Sequence, residues 1–355
     1  MRTLVISDLH LGAASPADVL RDPTTRAPLI EALRDIDRLV ILGDGLELRQ
    51  APQREAAALA APFYAEAGEA LGPDGELVML AGNHDHGLVA GWIDSRLLSE
   101  PSGFLGLEHR IEPDDAGPLA AALAEHAAPA RARVAYPGVW LRDDVYAIHG
   151  HYSDLHSTVP TFERLAAGAM ARWVVNLPEN GATPDDYEAA LSPLYAWMHA
   201  LTQRSDHARL SAGAGASARA WVALAGEGRK RRPVRAAALG AGYAAAVAAV
   251  NAVGLGPVER DLSGPGLRRG GLRGMREAAR RLGIAAPWLV WGHSHRSGPW
   301  PGDEPAEWRT AAGGRMVNAG CWVRGRGLEG GPYAPGTAVR VDDDGDPELL
   351  RLVPA

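Results

Sequence analysis

The sequence predicts an α/β fold whose strands all end at one polar site. Three observations lead there. Short apolar runs rich in β-branched residues recur along the chain. Each closes on a cluster of Asp, Asn or His. Helical patterns, at residues 28–38 and 54–71, fill the spaces between the early runs. Strands alternating with helices argue for α/β architecture, and ligands in such folds collect where loops converge beyond the strand ends.

In chain order, residues 3–7 read as a buried strand that opens into Asp8-Leu9-His10-Leu11-Gly12. Residues 39–42 lead into Gly43-Asp44, and 77–81 into Gly82-Asn83-His84-Asp85. Residues 145–148 lead into His149-Gly150-His151, and 288–291 into Gly292-His293-Ser294-His295. The first three clusters are each about one strand–helix–strand unit apart. The gap from His149 to His293 is far longer. It is rich in Ala, Arg and Gly with few strand-like segments, so an inserted, mostly helical cap is expected over 155–285, inside a core of 1–154 plus 286–355. Residues 315–323 and 337–353 return to strands, with Asp342-Asp343-Asp344-Gly345-Asp346 as a hairpin turn.

Composition narrows the classes. A chain of 355 residues, 46% hydrophobic and 22% charged, is a folded protein and not a disordered one. A lone Cys321, expected to be a small buried hydrophobe, excludes an internal disulfide and a cysteine-rich zinc site. The first apolar run is too short for a signal peptide and no ordinary membrane span is present, so a cytoplasmic protein is expected. Thirty-five of the 36 basic residues are arginine, a skew that fits a GC-rich genome.

The clusters carry the chemistry. Asp8 and His10, two apart in extended chain, would point to the same side. A carboxylate and an imidazole together are half of a divalent-metal site. Five such clusters at five strand ends are not coincidental core polar residues, because burying so many unpaired polar groups is costly.

These residues resemble the calcineurin-like metallophosphoesterases, whose pattern is Asp-x-His, Gly-Asp-x-x-(Asp/Glu), Gly-Asn-His-(Asp/Glu), His-Gly and Gly-His-x-His. The resemblance covers residues 1 to about 154 and about 286 to 330 and leaves out the insertion. It implies two packed mixed sheets flanked by helices, an αββα sandwich. It also implies two divalent metals bridged by Asp44, one held by Asp8, His10 and His295, the other by Asn83, His149 and His293. Mixed Asp, Asn and His ligands suit manganese first, with iron or zinc as alternatives. A metal-bridging hydroxide would attack phosphorus. His84 would be the general acid and Glu47, three residues after Asp44, would orient it. Asp85 is expected to support its loop, and Asn318 and Gly320 to shape the site rim. His151 is a candidate substrate contact. His86 and His156 are expected to be structural, and His109, His126, His199 and His207 to be surface residues.

Ser-Asp-Leu-His-Leu-Gly with Gly-Asp-x-x-Glu looks like the UDP-2,3-diacylglucosamine pyrophosphatase branch. The expected substrate is therefore a phosphorylated small molecule, nucleotide- or lipid-linked. Residues 229–281 hold 12 basic and three acidic residues in a chain of net charge −7. The plain reading is a solvated basic loop and an Ala-rich packed helix. The sharper one is peripheral contact with an anionic membrane. Two other functions share this core: a DNA nuclease of the repair type, and a catalytically silent binding protein. The acidic charge and the lack of an aromatic-rich basic face argue against nucleic acid, and the full ligand set argues against a silent site.

Overall fold

The computed structural model describes residues 1–13, 16–98, 103–158, 162–204, 247–259, 261, 264–324 and 331–353. The strands are β1 (Thr3–Ile6), β2 (Arg38–Leu42), β3 (Glu76–Leu80), β4 (Glu108–Ile111), β5 (Arg131–Arg142), β6 (Val145–Ile148), β7 (Trp288–Trp291), β8 (Arg315–Asn318), β9 (Thr337–Val341) and β10 (Glu348–Arg351). The α-helices with defined bounds are α1 (Pro23–Leu33), α2 (Gln53–Leu71), α3 (Ala90–Leu97), α4 (Pro113–Ala116), α5 (Pro118–His126), α6 (Phe162–Met170), α7 (Pro184–Arg204) and α8 (Gly264–Arg281).

The result is a mixed α/β fold built on one large sheet. Its strand order is β10-β9-β1-β2-β3-β5-β6-β7-β8, with β4 paired to β5. Where two separate sheets are expected, hydrogen bonding runs through a single path, because β5 is twelve residues long. Its first half pairs in parallel with β3, from Arg131 opposite Glu76 to Ala135 opposite Leu80. Its second half pairs antiparallel with β6, beginning at Gly138 opposite Ile148. Strands β1, β2 and β3 are parallel, as are β6, β7 and β8. All the expected ligand-bearing loops therefore leave the sheet at the carboxyl ends of parallel strands.

The strands read as unbroken apolar runs because both their faces are covered. Leu4 and Ile6 join a cluster with Phe63 and Tyr64 of α2, whereas Val5 joins a different one. That second cluster also holds Val40 and Leu42 of β2 with Val145, Ala147, Val290 and Val317 from β6, β7 and β8. Alternate residues of β6, Tyr146 and Ile148, join a third cluster with Tyr187 and Tyr195 of α7, Met275 of α8, and Trp291. The helices between β6 and β7 thus share a core with the sheet. Among the described residues of 155–285 there are helices and turns but no strand.

Helix α1 starts at Pro23, earlier than its apolar pattern suggests. Asp22 caps it, accepting from the Thr24 amide at 2.9 Å, and Pro23 fits the first helical position. Strands β4 and β5 were not visible in the sequence pattern. The hairpin after β9 is present, with Leu349 opposite Val339. Cys321 is buried as expected.

The basic stretch is only partly described. Residues 229–235 and 236–246 lie outside the described residues. Within α8, Arg268 pairs with Glu307 at 3.0 Å, Arg269 with Asp261 at 2.9 Å, and both Arg280 and Arg281 with Glu277 at 2.8 Å. Arg273 pairs with Glu259. Much of this helix's positive charge is therefore answered by its own neighbours. Among the described residues no helix is long and apolar enough to cross a membrane.

Candidate metal centre

The seven expected ligands come from five loops and meet at one place. Asp8 and His10 follow β1, Asp44 follows β2, Asn83 follows β3, His149 follows β6, and His293 and His295 follow β7. All but His293 and His295 are buried. The loops are laced together by backbone bonds: the Asp8 amide donates to Gly43 O at 3.2 Å and the His10 amide to Asp44 O at 2.9 Å.

Asp8 and His10 do not converge by strand alternation. β1 ends at Ile6, and both residues are left-handed, with φ of 56° and 46°. Asp44, His293 and His295 share that conformation, at 51°, 63° and 57°. Among the described residues the only other non-glycine position with positive φ is Asn176. A left-handed L-residue costs about 1–2 kcal/mol, and such strain persists where the surroundings enforce it, often at functional sites. Glycine makes room at the crossing points. A Cβ at Gly43, itself at φ 83°, would lie 2.5 Å from the His149 ring, and one at Gly82 would lie 2.3 Å from the Asp44 carboxylate.

Three groups of metal-ligating atoms result: Asp8–His10–His295, Asp44–His149–His293, and His10–Asp44–His84, which overlaps both. In the first, Asp8 Oδ1 is 3.2 Å from His295 Nε2, and His10 Nε2 is 3.2 Å from His295 Nε2. In the second, Asp44 Oδ2 is 3.4 Å from His149 Nε2. Asn83 Oδ1 stands 3.3 Å from His149 Nε2 and 3.1 Å from His293 Nδ1. Asp44 Oδ2 also lies 3.7 Å from His10 Nε2, between the groups.

The donor set fits cations. The Asn83 side-chain amide stands between His149 Nε2, Asp44 Oδ2 and His293 Nδ1 on one side and Arg49 Nη2, at 2.9 Å, on the other. Asp8 Oδ1 is buried without a hydrogen bond of good geometry, an arrangement that is costly unless a cation completes it.

The family model for calcineurin-like phosphoesterases matches residues 1–207. The chain belongs to that family. A search of curated proteins finds no match.

The phosphoesterase centre is held by a second layer of contacts. His149 Nδ1 donates to Leu42 O at 2.8 Å, which turns Nε2 inward. His293 Nε2 meets Asp154 Oδ1 at 2.8 Å, leaving Nδ1 for the centre. His10 Nδ1 meets Glu47 Oε2 at 3.2 Å. Three of the four ligand rings, His10, His149 and His293, are thus fixed through their other nitrogen, the common arrangement in metal sites. Asp85 binds its own loop and its neighbour, accepting from the amides of Gly82 at 2.7 Å, Gly45 at 2.7 Å, Asp44 at 3.2 Å and Leu46 at 3.2 Å. Asn318 ties the His293 loop to β8 through Gly292 O at 2.7 Å and the Gly320 amide at 2.8 Å.

Electrostatics follow from this crowding. Burial alone would raise the carboxylates, yet the imidazoles outweigh it. Asp8 is held at about 2, and Asp44 and Glu47 lie well below the usual range. Burial likewise disfavours charged histidines, but Asp44 pushes His149 up to about 9 and Asp8 pushes His295 up strongly.

His84 behaves differently. Its Nδ1 lies 2.9 Å from each Glu47 oxygen, and burial pushes its pKa down despite that carboxylate. Its amide donates to Asp44 Oδ1 at 2.7 Å. Beside it opens a cavity of about 120 Å³, whose walls include Arg49, His86, Tyr195 and His199. His151 is fully buried, 5.6 Å from His149 and 5.8 Å from Tyr195 between ring centroids, and neither ring nitrogen has a partner. The 3-10 turn that starts at His151, straight after left-handed Gly150, sends the ring inward.

Two residues were not singled out in the sequence. Arg49 donates to Asn83 O at 3.2 Å, and its Nη1 lies 3.4 Å from His84 Nε2. Its position two residues after Glu47 is the signal that could have found it. Asp154 follows His149 by five residues in the same loop. His199, expected at the surface, lines the cavity because α7 packs against this end of the sheet.

Proposed function

We propose that this phosphoesterase hydrolyses a phosphomonoester, phosphodiester or pyrophosphate bond at a centre of two divalent cations. Manganese is favoured over iron or zinc. Asp8, His10 and His295 would hold one cation, Asn83, His149 and His293 the other, and Asp44 both. The observation that supports this reading is the convergence of Asp8, His10, Asp44, His149, His293 and His295, with Asn83 beside them, from five loops on one place. When bound, the cations supply Lewis acidity toward the phosphoryl group and a nucleophilic water at neutral pH.

The chain's own residues do the rest. Glu47 takes the Nδ1–H of His84, so a proton for the leaving oxygen would have to be carried on Nε2, which His84 holds only in its imidazolium form. His84 lines the cavity and passes that proton to the leaving oxygen as general acid, a contribution of about 10²- to 10⁴-fold. Arg49 adds positive charge beside the same atom, where negative charge develops. The substrate class favoured by the sequence resemblance is a nucleotide- or lipid-linked phosphate.

The experiment is a screen of metal-reconstituted protein against p-nitrophenyl phosphate, bis-p-nitrophenyl phosphate and pyrophosphate. Turnover of at least one is expected. Asp44→Ala should lose metal and activity together, while His84→Ala keeps metal and loses rate on a poor leaving group. Stoichiometrically loaded protein that hydrolyses none of the three would overturn the reading.

A further inference from the structure

Arg49 lies between β2 and α2, in no helix or strand, yet its guanidinium has set neighbours. Nε donates to Asn83 O at 3.2 Å, Nη1 lies 3.4 Å from His84 Nε2, and Nη2 lies 2.9 Å from the Asn83 side-chain amide. Holding so long a side chain costs rotamer freedom, so the groups that fix it matter. Its main chain is pinned from two sides. The Arg49 amide donates to Glu47 Oε1 at 3.0 Å, and the Arg49 carbonyl accepts from the Thr202 hydroxyl at 3.1 Å. Thr202 is buried on α7. A helical threonine ordinarily donates to the carbonyl four residues back. This hydroxyl does lie 3.1 Å from Met198 O, and its reach to Arg49 O is the added contact. The same face of α7 meets this stretch elsewhere. The Tyr195 ring centroid is 5.6 Å from Arg49 Cζ, within the range of a cation–π contact. Gln203 Oε1 accepts from the Gln53 amide at 3.1 Å, and Gln53 Nε2 stands 3.1 Å from His199 Nε2. Residues 195, 199 and 202 have the spacing of one helix face. That face touches Arg49 at its carbonyl and at its guanidinium.

We propose that α7 is the positioning element for Arg49, Thr202 setting its main chain and Tyr195 its guanidinium, so that Arg49 serves the leaving oxygen. The inference rests on the hydrolytic reading with His84 as the acid. Two nitrogens 3.4 Å apart can both reach one oxygen at ordinary hydrogen-bond length. An oxygen that takes a proton from His84 Nε2 therefore stands within reach of Arg49 Nη1. The guanidinium charge favours that oxygen as it turns negative. Arg49 is the residue at the reacting atom, and Tyr195 and Thr202 act through it.

Two measurements test this. The first reads the position of Arg49 without substrate, by NMR of nitrogen-labelled protein. The Arg49 Nε–H resonance is the one that Arg49→Lys removes, and it should exchange slowly with solvent because it donates to Asn83 O. Thr202→Val keeps the shape and removes the hydroxyl, and Tyr195→Leu removes the ring. Each should speed that exchange about fivefold, and Thr202→Ser should restore it. Should Tyr195→Leu fail to fold, Thr202→Val alone decides. The second measurement is kcat of the metal-loaded enzyme on phenyl and p-nitrophenyl phosphate, or on diphenyl and bis-p-nitrophenyl phosphate if it prefers diesters. The poorer leaving group leans harder on the charge beside its oxygen. On the phenyl ester Arg49→Ala should cost about 10²-fold and Thr202→Val about fivefold, and both should cost less on the p-nitrophenyl ester. Added to Arg49→Ala, Thr202→Val should lower the rate no further. Unchanged exchange in the variants overturns the proposal. So do equal losses on the two esters, or a full further loss in the double variant, because α7 would then act on the fold at large. Each of these leaves the hydrolytic reading standing. Faster exchange in the variants, with no ester turned over by the unaltered enzyme, would overturn the hydrolytic reading and keep the positioning of Arg49 by α7.

Discussion

Glu47 grips His84 with both carboxylate oxygens, each 2.9 Å from Nδ1. The same carboxylate reaches His10 Nδ1 at 3.2 Å, so one buried acid orients both a metal ligand and the proposed proton donor. Glu47→Gln should therefore injure two functions. Metal affinity should fall about 10- to 100-fold through His10. The rate at saturating metal should fall about 10²-fold through His84. Metal titration and steady-state kinetics on one preparation separate the two, and a loss confined to metal binding would show that His84 does not depend on Glu47.

Asp154 reaches the centre through His293, at 2.8 Å from Nε2. Asp154→Asn should weaken one of the two bound metals by about 10- to 100-fold while leaving the other in place. Metal analysis after dialysis against graded chelator reads this directly. Equal retention of both metals would remove Asp154 from the supporting layer.

Metal binding should release protons. Burial alone would lower the ligand histidines, but Asp44 and Asp8 raise His149 to about 9 and His295 well above its ordinary value. Cations need the neutral rings, so apparent affinity should rise with pH through about 9 and then level off. The calorimetric heat of binding should vary with the ionisation enthalpy of the buffer. Heats that do not depend on the buffer would contradict this.

Asp85→Ala strips the acceptor from four backbone amides at once. A loss of about 2–4 kcal/mol in stability is expected, read as a lower urea midpoint with an unchanged slope. Stability within 0.5 kcal/mol or so of the native value would mean that water replaces the carboxylate freely.

Acid should loosen α7 through Glu188. Its carboxylate accepts from Tyr152 at 2.6 Å and from Tyr136 and Ser192, faces His86 Nε2 at 3.0 Å, and feels His151. Burial alone would raise its pKa, but His86 and the hydroxyl donors hold it at about 2, below the ordinary 4.5. A depressed carboxylate contributes stability that is complete above the unfolded pKa and lost as pH falls toward the folded one. Native protein should thus lose stability between about pH 4.5 and 2, and Glu188→Gln should show a shallower fall there. Identical slopes for the two proteins would rule Glu188 out.

Much of this was written in local sequence. Strands β6 and β7 fall where apolar runs of four residues stand, and the ligands follow from the clusters that close those runs. Helix α1 was shifted because Asp22-Pro23 is a capping signal and not an apolar one. Strands β4 and β5 escaped notice because their residues, such as Arg131, Arg133 and Arg110, alternate with apolar ones at a sheet position where strand pairing outweighs propensity. The left-handed ligands were not legible either. The sequence shows which residues lie near one another but not the sign of φ, and an Asp-x-His reads equally well as extended chain. Glu188, Tyr195 and His199 lie seven and four residues apart, one helical face, but Ala-rich composition masked them.

Helix α7 meets the core through Glu188 and the cavity through Tyr195 and His199, whereas all seven ligands sit on loops of the sheet. The candidate ligands and the helix that walls the space beside His84 thereby lie in separate stretches of chain. A change on the cavity side of α7 therefore alters the wall of that space without touching a ligand, provided Glu188 still anchors the helix.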